Sequence, residues 1–292
     1  MATVGTGGYT YEYVQDWAKL PPGQSFGTCS AVATDSQDRV YVFHRKDPPV
    51  LVFDSEGNYL SCWGNGVFAE PHGFNIKDDI VYVTDRNDSV VLTFTLDGKP
   101  LQIIGKRGVH SDTGCEVPGD LVPRSAGPFN YPTELVRSPS GDLYVTDGYR
   151  NSRVHRFSAE GELISSWGEP GKTEPGHFHL PHSLLVTEDG TVYVCDRENS
   201  RIQLFSADGK FLTMWTDIQK PSDISMDSEG VLYVSEMETE TLPRRMSILD
   251  RQGRVLARWQ SRSAHGLWVD SRGDIYTALT VHRSVDKYVR QR

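Results

Sequence analysis

The feature that most constrains this chain is a strand pattern that recurs about every 40–45 residues. The stretch 180–205, LPHSLLVTEDGTVYVCDRENSRIQLF, shows two short apolar strands around the turn Glu188-Asp189-Gly190, then a polar loop and a third strand. Segments with this pattern begin near Phe26, Phe68, Phe129, His179, Lys220 and Arg262. Repeats of this length with four short strands are typical of propeller blades, so the sequence predicts an all-β, six-bladed β-propeller.

The two ends of the chain predict how the ring of blades closes. The sixth segment supplies three strands, from 265 to 290, and residues 9–17 are a spare strand ahead of the first segment. We therefore expect residues 1–292 to form a single propeller domain whose last blade takes 9–17 as its outer strand. Residues 106–128, rich in Gly, Pro and charge, are expected to be a loop inserted between blades two and three and ordered over one face.

Composition argues against several classes of partner. The chain has 30 Lys and Arg against 39 Asp and Glu, a net charge of −9, and its basic residues are scattered, so no nucleic-acid partner is expected. It lacks both an apolar run of about 18 residues and a signal-peptide pattern, so we expect a cytoplasmic protein that does not act at a membrane. The cysteines are expected to be free thiols, and the oligomeric state stays open.

One position in the first strand of each repeat predicts a metal site. Counted back from the second-strand tyrosine, it reads Ser30, His72, Thr133, His182, Ser222 and His265. First strands line the channel of a propeller, so three imidazoles from alternate blades would point at one axis, with small hydroxyl residues keeping the channel open. Three His with an open fourth position is a catalytic zinc set, so we expect His72, His182 and His265 to bind Zn²⁺ or another divalent transition metal. The alternative is that each His is a satisfied polar residue near a strand start.

A second column of residues follows the second strand of each repeat. It contains Arg45, Arg86, Gly148-Tyr149, Arg197, Met237 and Thr280. Arginine presents a planar fork that matches a carboxylate, and a tyrosine beside a metal and arginine can donate or accept a proton. This column therefore predicts a small anionic substrate bound by Arg45, Arg86 and Arg197. The alternative is pairing within one blade, which we expect for Asp147 with Arg153 and for Asp196 with Arg201.

Several strings in these loops resemble a known family. They are Phe43-His44-Arg45, Pro71-His72-Gly73, Pro132-Thr133-Glu134, Asp147-Gly148-Tyr149 with Asn151-Ser152-Arg153, Pro181-His182-Ser183-Leu184 and Asp196-Arg197-Glu198-Asn199. They are similar to NHL-repeat propellers and, more specifically, to the lyase domain of the peptidylglycine alpha-amidating enzyme, which cleaves a peptidyl-alpha-hydroxyglycine into an amide and glyoxylate. The resemblance implies zinc at His72, His182 and His265, a catalytic Tyr149, and substrate-site arginines at Arg45 and Arg197 that would also assist catalysis.

Departures from that family change the expected function. Ser263-Ala264 and Gly266 stand where the family has Met-Pro and a calcium-binding Asp, so no structural Ca²⁺ is expected, and Arg150 stands where the family has a disulfide Cys. We therefore expect a metal-dependent lyase that cleaves a C–N or C–O bond of a small hydroxylated, carboxylate-bearing substrate other than a secretory peptide. The alternatives are a zinc hydrolase with metal-bound water as nucleophile and a non-catalytic propeller binding module.

Overall fold

The computed structural model describes residues 2–291, whose regular structure consists of β-strands. In chain order they are β1 Ala2–Thr6, β2 Tyr9–Val14, β3 Cys29–Thr34, β4 Val40–His44, β5 Val50–Phe53, β6 Tyr59–Trp63, β7 Pro71–Lys77, β8 Ile80–Asp85, β9 Val90–Thr95, β10 Pro100–Ile104, β11 Pro132–Arg137, β12 Leu143–Asp147, β13 Arg153–Phe157, β14 Leu163–Trp167, β15 Glu169–Pro170, β16 His177–Phe178, β17 Pro181–Val186, β18 Val192–Asp196, β19 Arg201–Phe205, β20 Phe211–Trp215, β21 Pro221–Met226, β22 Leu232–Glu236, β23 Arg245–Leu249, β24 Val255–Gln260, β25 Ala264–Val269, β26 Ile275–Leu279 and β27 Ser284–Gln291. Within residues 2–291 the structure contains no helix with the length and apolar character needed to cross a membrane.

These strands form six sheets of four or five strands, the six-bladed β-propeller arrangement that the repeats predict. Their strand orders are β3-β4-β5-β6, β7-β8-β9-β10, β11-β12-β13-β14, β17-β18-β19-β20, β21-β22-β23-β24 and β25-β26-β27-β2-β1. A short parallel pair, β15 and β16, lies between the third and fourth sheets in the chain. The prediction of an all-β propeller is confirmed.

In three of the six sheets the second-strand tyrosine is hydrogen-bonded to the turn that precedes it. Tyr41, Tyr233 and Tyr276 are buried, and their hydroxyls donate to the turn carboxylates Asp35, Asp227 and Asp270 of their own sheets. In each turn the same Asp also accepts backbone N–H groups, as Asp35 does from Gln37 and Arg39. One Asp thus ties the turn to the strand that follows it.

Two compact units contain these sheets. One runs up to Phe68, includes Leu96–Gly98 and resumes at Ser222; the other consists of Ala69–Thr95 and Lys99–Pro221. We call them the terminal unit and the middle unit. The single domain over 1–292 and the inserted loop 106–128 stay predictions, although no strand lies between β10 and β11 among the described residues.

The last sheet takes its extra strands from the start of the chain, as predicted. β2 pairs antiparallel with β27, with Tyr13 opposite Tyr288. The predicted outer position is wrong, because β1 pairs with the far side of β2 and is itself the outermost strand. A two-residue turn, Gly7-Gly8, joins β1 to β2, and this is a common hairpin connection. The strand also ends at Val14, and Trp17 beyond it packs against Phe53 and Tyr276.

His44, at the end of β4, is held in its neutral form. Its side chain is buried, Nδ1 accepts the Gly27 N–H at 2.8 Å, and Nε2 donates to the Pro48 carbonyl at 2.8 Å. A proton on Nδ1 would face the Gly27 N–H with no acceptor. Burial, as the main cause, lowers the pKa of His44 to about 4.

This histidine is expected to make folding stability depend on pH. Because the pKa of His44 is about 6.5 in the unfolded chain and about 4 in the folded one, the unfolded state binds more protons between these values. The His44 contribution to the free energy of unfolding is present above pH 6.5 and decreases by about 1.4 kcal/mol per pH unit as the pH falls towards 4. Urea unfolding of wild type and His44→Gln across this range measures it, since glutamine keeps a donor and an acceptor without titrating. Parallel pH profiles for the two proteins would contradict the prediction.

Candidate active site

Each histidine of the predicted metal set lies at a break in strand pairing. Register shifts of one residue leave Ser30, Thr133, His182 and His265 out of the pairing at the starts of β3, β11, β17 and β25, and a similar shift in β7 spans His72-Gly73. An unpaired extra residue bends the strand locally and redirects its side chain. The bulges therefore distinguish these positions from the ordinary core alternation of each strand.

In the middle unit, His72 and His182 lie side by side. Their ring centroids are 5.0 Å apart, and both side chains are almost fully buried. His72 Nδ1 donates to the Thr133 carbonyl at 2.7 Å, which fixes the tautomer and leaves Nε2 as the ring nitrogen with a lone pair. This is the arrangement that a metal-ligating histidine requires.

Two glycines allow the loops of this unit to approach the histidines. A Cβ on Gly73 would lie 2.4 Å from the Thr133 carbonyl oxygen, and one on Gly148 would lie 2.1 Å from the Pro181 carbonyl oxygen. Both contacts are too short for any side chain. Gly148 therefore brings Tyr149 against the backbone that precedes His182.

Tyr149 joins the histidines to two arginines. Its hydroxyl lies 3.3 Å from His182 Nε2 and accepts a hydrogen bond from Arg197 at 3.3 Å. Its ring lies 5.1 Å from the His72 ring and has the Arg86 and Arg197 guanidiniums 4.9 and 5.4 Å from its centroid. The structure thus brings together five of the seven predicted site residues within the middle unit.

The arginines of this unit are held by acidic neighbours that the sequence analysis did not single out. Arg197 pairs with Glu198, which also pairs with Lys220 at 3.0 Å, and Arg86 pairs with Glu70. Burial lowers the pKa of Arg197, but Tyr149 and Glu198 outweigh burial, and the net shift is upward. Burial raises the pKa of Glu198, yet Arg197 and Lys220 bring it below its ordinary value. The only sequence signal for this network is the adjacency of Arg197 and Glu198.

The two remaining predicted residues belong to the terminal unit. His265 Nδ1 donates to the Ser30 carbonyl at 2.7 Å, as His72 does to Thr133. Arg45 follows β4, where its backbone N–H donates to the Thr28 carbonyl. His265 thus has the same ring orientation towards a backbone carbonyl as His72, and its membership of the metal set stays a prediction.

Two arginine–aspartate pairs were predicted within single blades, and the structure contains one of them. Arg201 pairs with Asp196 at 2.7 Å, as expected. Arg153 instead pairs with Glu169, because Asp147 is surrounded by the Asn130 N–H, the Asn151 amide and His155 Nε2. Asp147 thus organises the turn next to Tyr149.

The segment 106–128 holds the backbone that follows the Cα of Tyr149. Gly119 N–H donates to the Tyr149 carbonyl at 2.7 Å, and the Gly119 carbonyl accepts from His179 Nε2 at 3.1 Å. Thr113 Oγ1 donates to the Arg150 carbonyl at 2.6 Å. This part of the segment is therefore ordered against the loop that carries Tyr149.

Comparison with known proteins matches the two repeats that carry Tyr149 and His182. Residues 129–157 and 178–205 match the NHL repeat family. The chain contains NHL repeats. The two matched NHL repeats include Tyr149, His182 and Arg197.

The NHL-repeat chain is also similar to amidating enzymes. It is 33% identical to peptidylglycine alpha-amidating monooxygenase of Rattus norvegicus over 66% of this chain and 22% of that protein. It is 28% identical to peptidyl-alpha-hydroxyglycine alpha-amidating lyase 2 of Drosophila melanogaster over 63% of this chain and 48% of that protein. The chain thus spans about half or less of these two relatives. The resemblance inferred from the loop strings is confirmed.

A solved structure supports the fold of the NHL-repeat chain. The WD40 beta propeller domain of Doa1 superposes with a TM-score of 0.65 at 14% identity, covering 99% of this chain and 88% of that one. At this identity the similarity concerns the fold alone.

Proposed function

We propose that this NHL-repeat chain is a metal-dependent lyase that cleaves the C–N bond of a small carbinolamide bearing a carboxylate, N-acyl-α-hydroxyglycine being the simplest example. The observation that carries the proposal is the Tyr149 hydroxyl, which lies 3.3 Å from both His182 Nε2 and the Arg197 guanidinium. The similarity to peptidyl-alpha-hydroxyglycine alpha-amidating lyase 2 of Drosophila melanogaster supports the same reaction class.

Zinc is the metal we propose for the three histidines. Three neutral imidazoles form a donor set suited to Zn²⁺ and to neighbouring transition metals. The Nδ1–H groups of His72 and His265 are directed to backbone carbonyls, which leaves Nε2 of each ring to serve as ligand atom. A bound Zn²⁺ would act as a Lewis acid towards a substrate oxygen.

The proposed substrate is a small anion. Around Tyr149 the middle unit places Arg86, Arg197 and Lys220 against Glu70 and Glu198, a net charge of +1 from these five side chains. Arg197 and Arg86 would bind the substrate carboxylate, since a guanidinium can donate two parallel hydrogen bonds to it. We propose that Arg45 also binds this carboxylate, because it occupies the same position after a second strand as Arg86 and Arg197.

Tyr149 is the proposed acid–base residue. With its oxygen in the anionic form, which the Arg197 and Arg86 guanidiniums would stabilise, it accepts the proton of the substrate hydroxyl. The oxygen electrons then form the carbonyl double bond as the C–N bond breaks. Tyr149 returns the same proton to the departing nitrogen, so an amide and glyoxylate form without net gain or loss of protons or water.

Product analysis with N-benzoyl-α-hydroxyglycine tests this proposal. We expect benzamide and glyoxylate in equal amounts, at a rate well above the spontaneous breakdown measured without protein. Benzoate as the main product would show hydrolysis instead, and an unchanged background rate with metal-loaded protein would exclude the lyase in favour of a binding module.

A further inference from the structure

The small hydroxyl residues that alternate with the histidines in the first-strand column also make hydrogen bonds to the histidine-bearing strands, as Thr133 shows. Thr133 is fully buried, and its carbonyl accepts both His72 Nδ1–H at 2.7 Å and Thr84 Oγ1–H at 3.0 Å. Its own hydroxyl lies 2.9 Å from the carbonyl of Pro181, the residue before His182. Thr133 thus contacts the imidazole of one histidine and the backbone that carries the other.

A second hydroxyl supports the one on Thr133. Thr133 Oγ1 lies 2.8 Å from Thr146 Oγ1 and 3.0 Å from the Thr146 carbonyl. A hydroxyl has one proton to donate and two lone pairs to accept with. Thr133 Oγ1–H therefore has three acceptors within reach, namely Thr146 Oγ1, the Thr146 carbonyl and the Pro181 carbonyl, and its hydroxyl links β12 to the backbone ahead of His182.

The same contacts recur in the terminal unit at the equivalent positions of another repeat. Ser222 Oγ lies 2.8 Å from Ser235 Oγ and 3.0 Å from the carbonyl of Ala264, the residue before His265. His265 Nδ1 in turn donates to the carbonyl of Ser30. A hydroxyl pair therefore holds the backbone ahead of a column histidine in both units, although the side chains are threonines in one and serines in the other.

We propose that Thr133 is a positioning residue for the metal, with Ser222 in the equivalent role. This inference rests on the proposed metal centre. Thr133 fixes the tautomer and direction of His72 through its carbonyl, and it fixes the bulge at His182 through its hydroxyl. Outer-shell partners of this kind typically change metal affinity by about 10–100-fold when removed.

Metal titration of the apoprotein tests this role without relying on activity. Thr133→Val keeps the β-branched shape but removes the hydroxyl, so we expect Zn²⁺ affinity to fall about 10-fold, measured by competition with a chromophoric chelator. Thr133→Ser keeps the hydroxyl and is expected to bind Zn²⁺ as the wild type does. Co²⁺ absorption should change in Thr133→Val and not in Thr133→Ser, because a displaced His182 alters the ligand geometry.

The possible results distinguish failure of the positioning role of Thr133 from failure of the proposed metal centre. Wild-type affinity and an unchanged Co²⁺ spectrum in Thr133→Val would overturn the positioning role while leaving the metal centre intact. If the wild type binds no more Zn²⁺ than His182→Ala, the metal centre and the positioning role both fail. Ser222→Ala serves as the second variant should Thr133→Val not fold; a loss of affinity there supports the role of the hydroxyl pairs, and wild-type affinity overturns it.

Discussion

Replacing Tyr149 with phenylalanine is expected to lower kcat by about 10²–10⁴-fold and to leave KM nearly unchanged. The substitution removes the hydroxyl that lies 3.3 Å from His182 Nε2 but keeps the ring that stacks against Arg86 and Arg197. The arginines proposed to bind the carboxylate therefore stay in place while the proposed proton acceptor is lost. Steady-state glyoxylate release from N-benzoyl-α-hydroxyglycine, with the protein saturated with Zn²⁺, measures the effect.

Tyr144→Phe is the matched control for this substitution. Tyr144 lies on β12, the strand that leads to Tyr149. Its hydroxyl donates to the Ala207 carbonyl rather than to any predicted site residue. Its loss should cost about 1 kcal/mol of stability and leave kcat at the wild-type value. Equal kcat for Tyr149→Phe and Tyr144→Phe would rule out Tyr149 as the acid–base residue.

The second large effect concerns the strand that closes the last sheet. Tyr11→Ala is expected to lower the free energy of unfolding by about 3–5 kcal/mol, the usual cost of truncating a buried aromatic side chain. Tyr11 is fully buried, packs against Trp259 at 5.5 Å between ring centroids, and lies opposite Arg290 in the β2–β27 pair. Chemical denaturation followed by tryptophan fluorescence measures the loss.

Glu12→Ala provides the comparison on the same strand. Glu12 is half-buried and sits on the alternate face of β2, so its replacement should change stability by no more than about 0.5 kcal/mol. If Tyr11→Ala cost as little as Glu12→Ala, β2 would not be part of the cooperative fold.

The sequence was sufficient to predict the blades because their determinants are local. Each sheet needs a turn Asp, a Val-Tyr-Val type of strand and a Gly-containing turn, and these recur at nearly constant spacing. The hairpin of β1 with β2 was missed because Ala2–Thr6 is short and exposed, with no apolar alternation to mark it as a strand. Only the Gly7-Gly8 turn could have indicated it.

The candidate site was only partly predictable from the sequence. Counting back 10 or 11 residues from the second-strand tyrosines selected His72 and His182, which the structure places 5.0 Å apart, and a bulge lies at each of these two positions. The partners of Thr133 and the Glu198–Lys220 pair depend on side chains from different strands and loops, and no periodicity encodes them. Arg153 was assigned to the wrong carboxylate for the same reason.

Metal content is the most direct test of the proposed centre. Freshly purified wild-type protein is expected to carry about one equivalent of zinc or another transition metal per chain, and His72→Ala/His182→Ala is expected to carry almost none. His110→Ala/His282→Ala removes two exposed histidines and should keep the wild-type content. Less than about half an equivalent in the wild type, unchanged in His72→Ala/His182→Ala, would contradict a metal-dependent lyase built on these histidines.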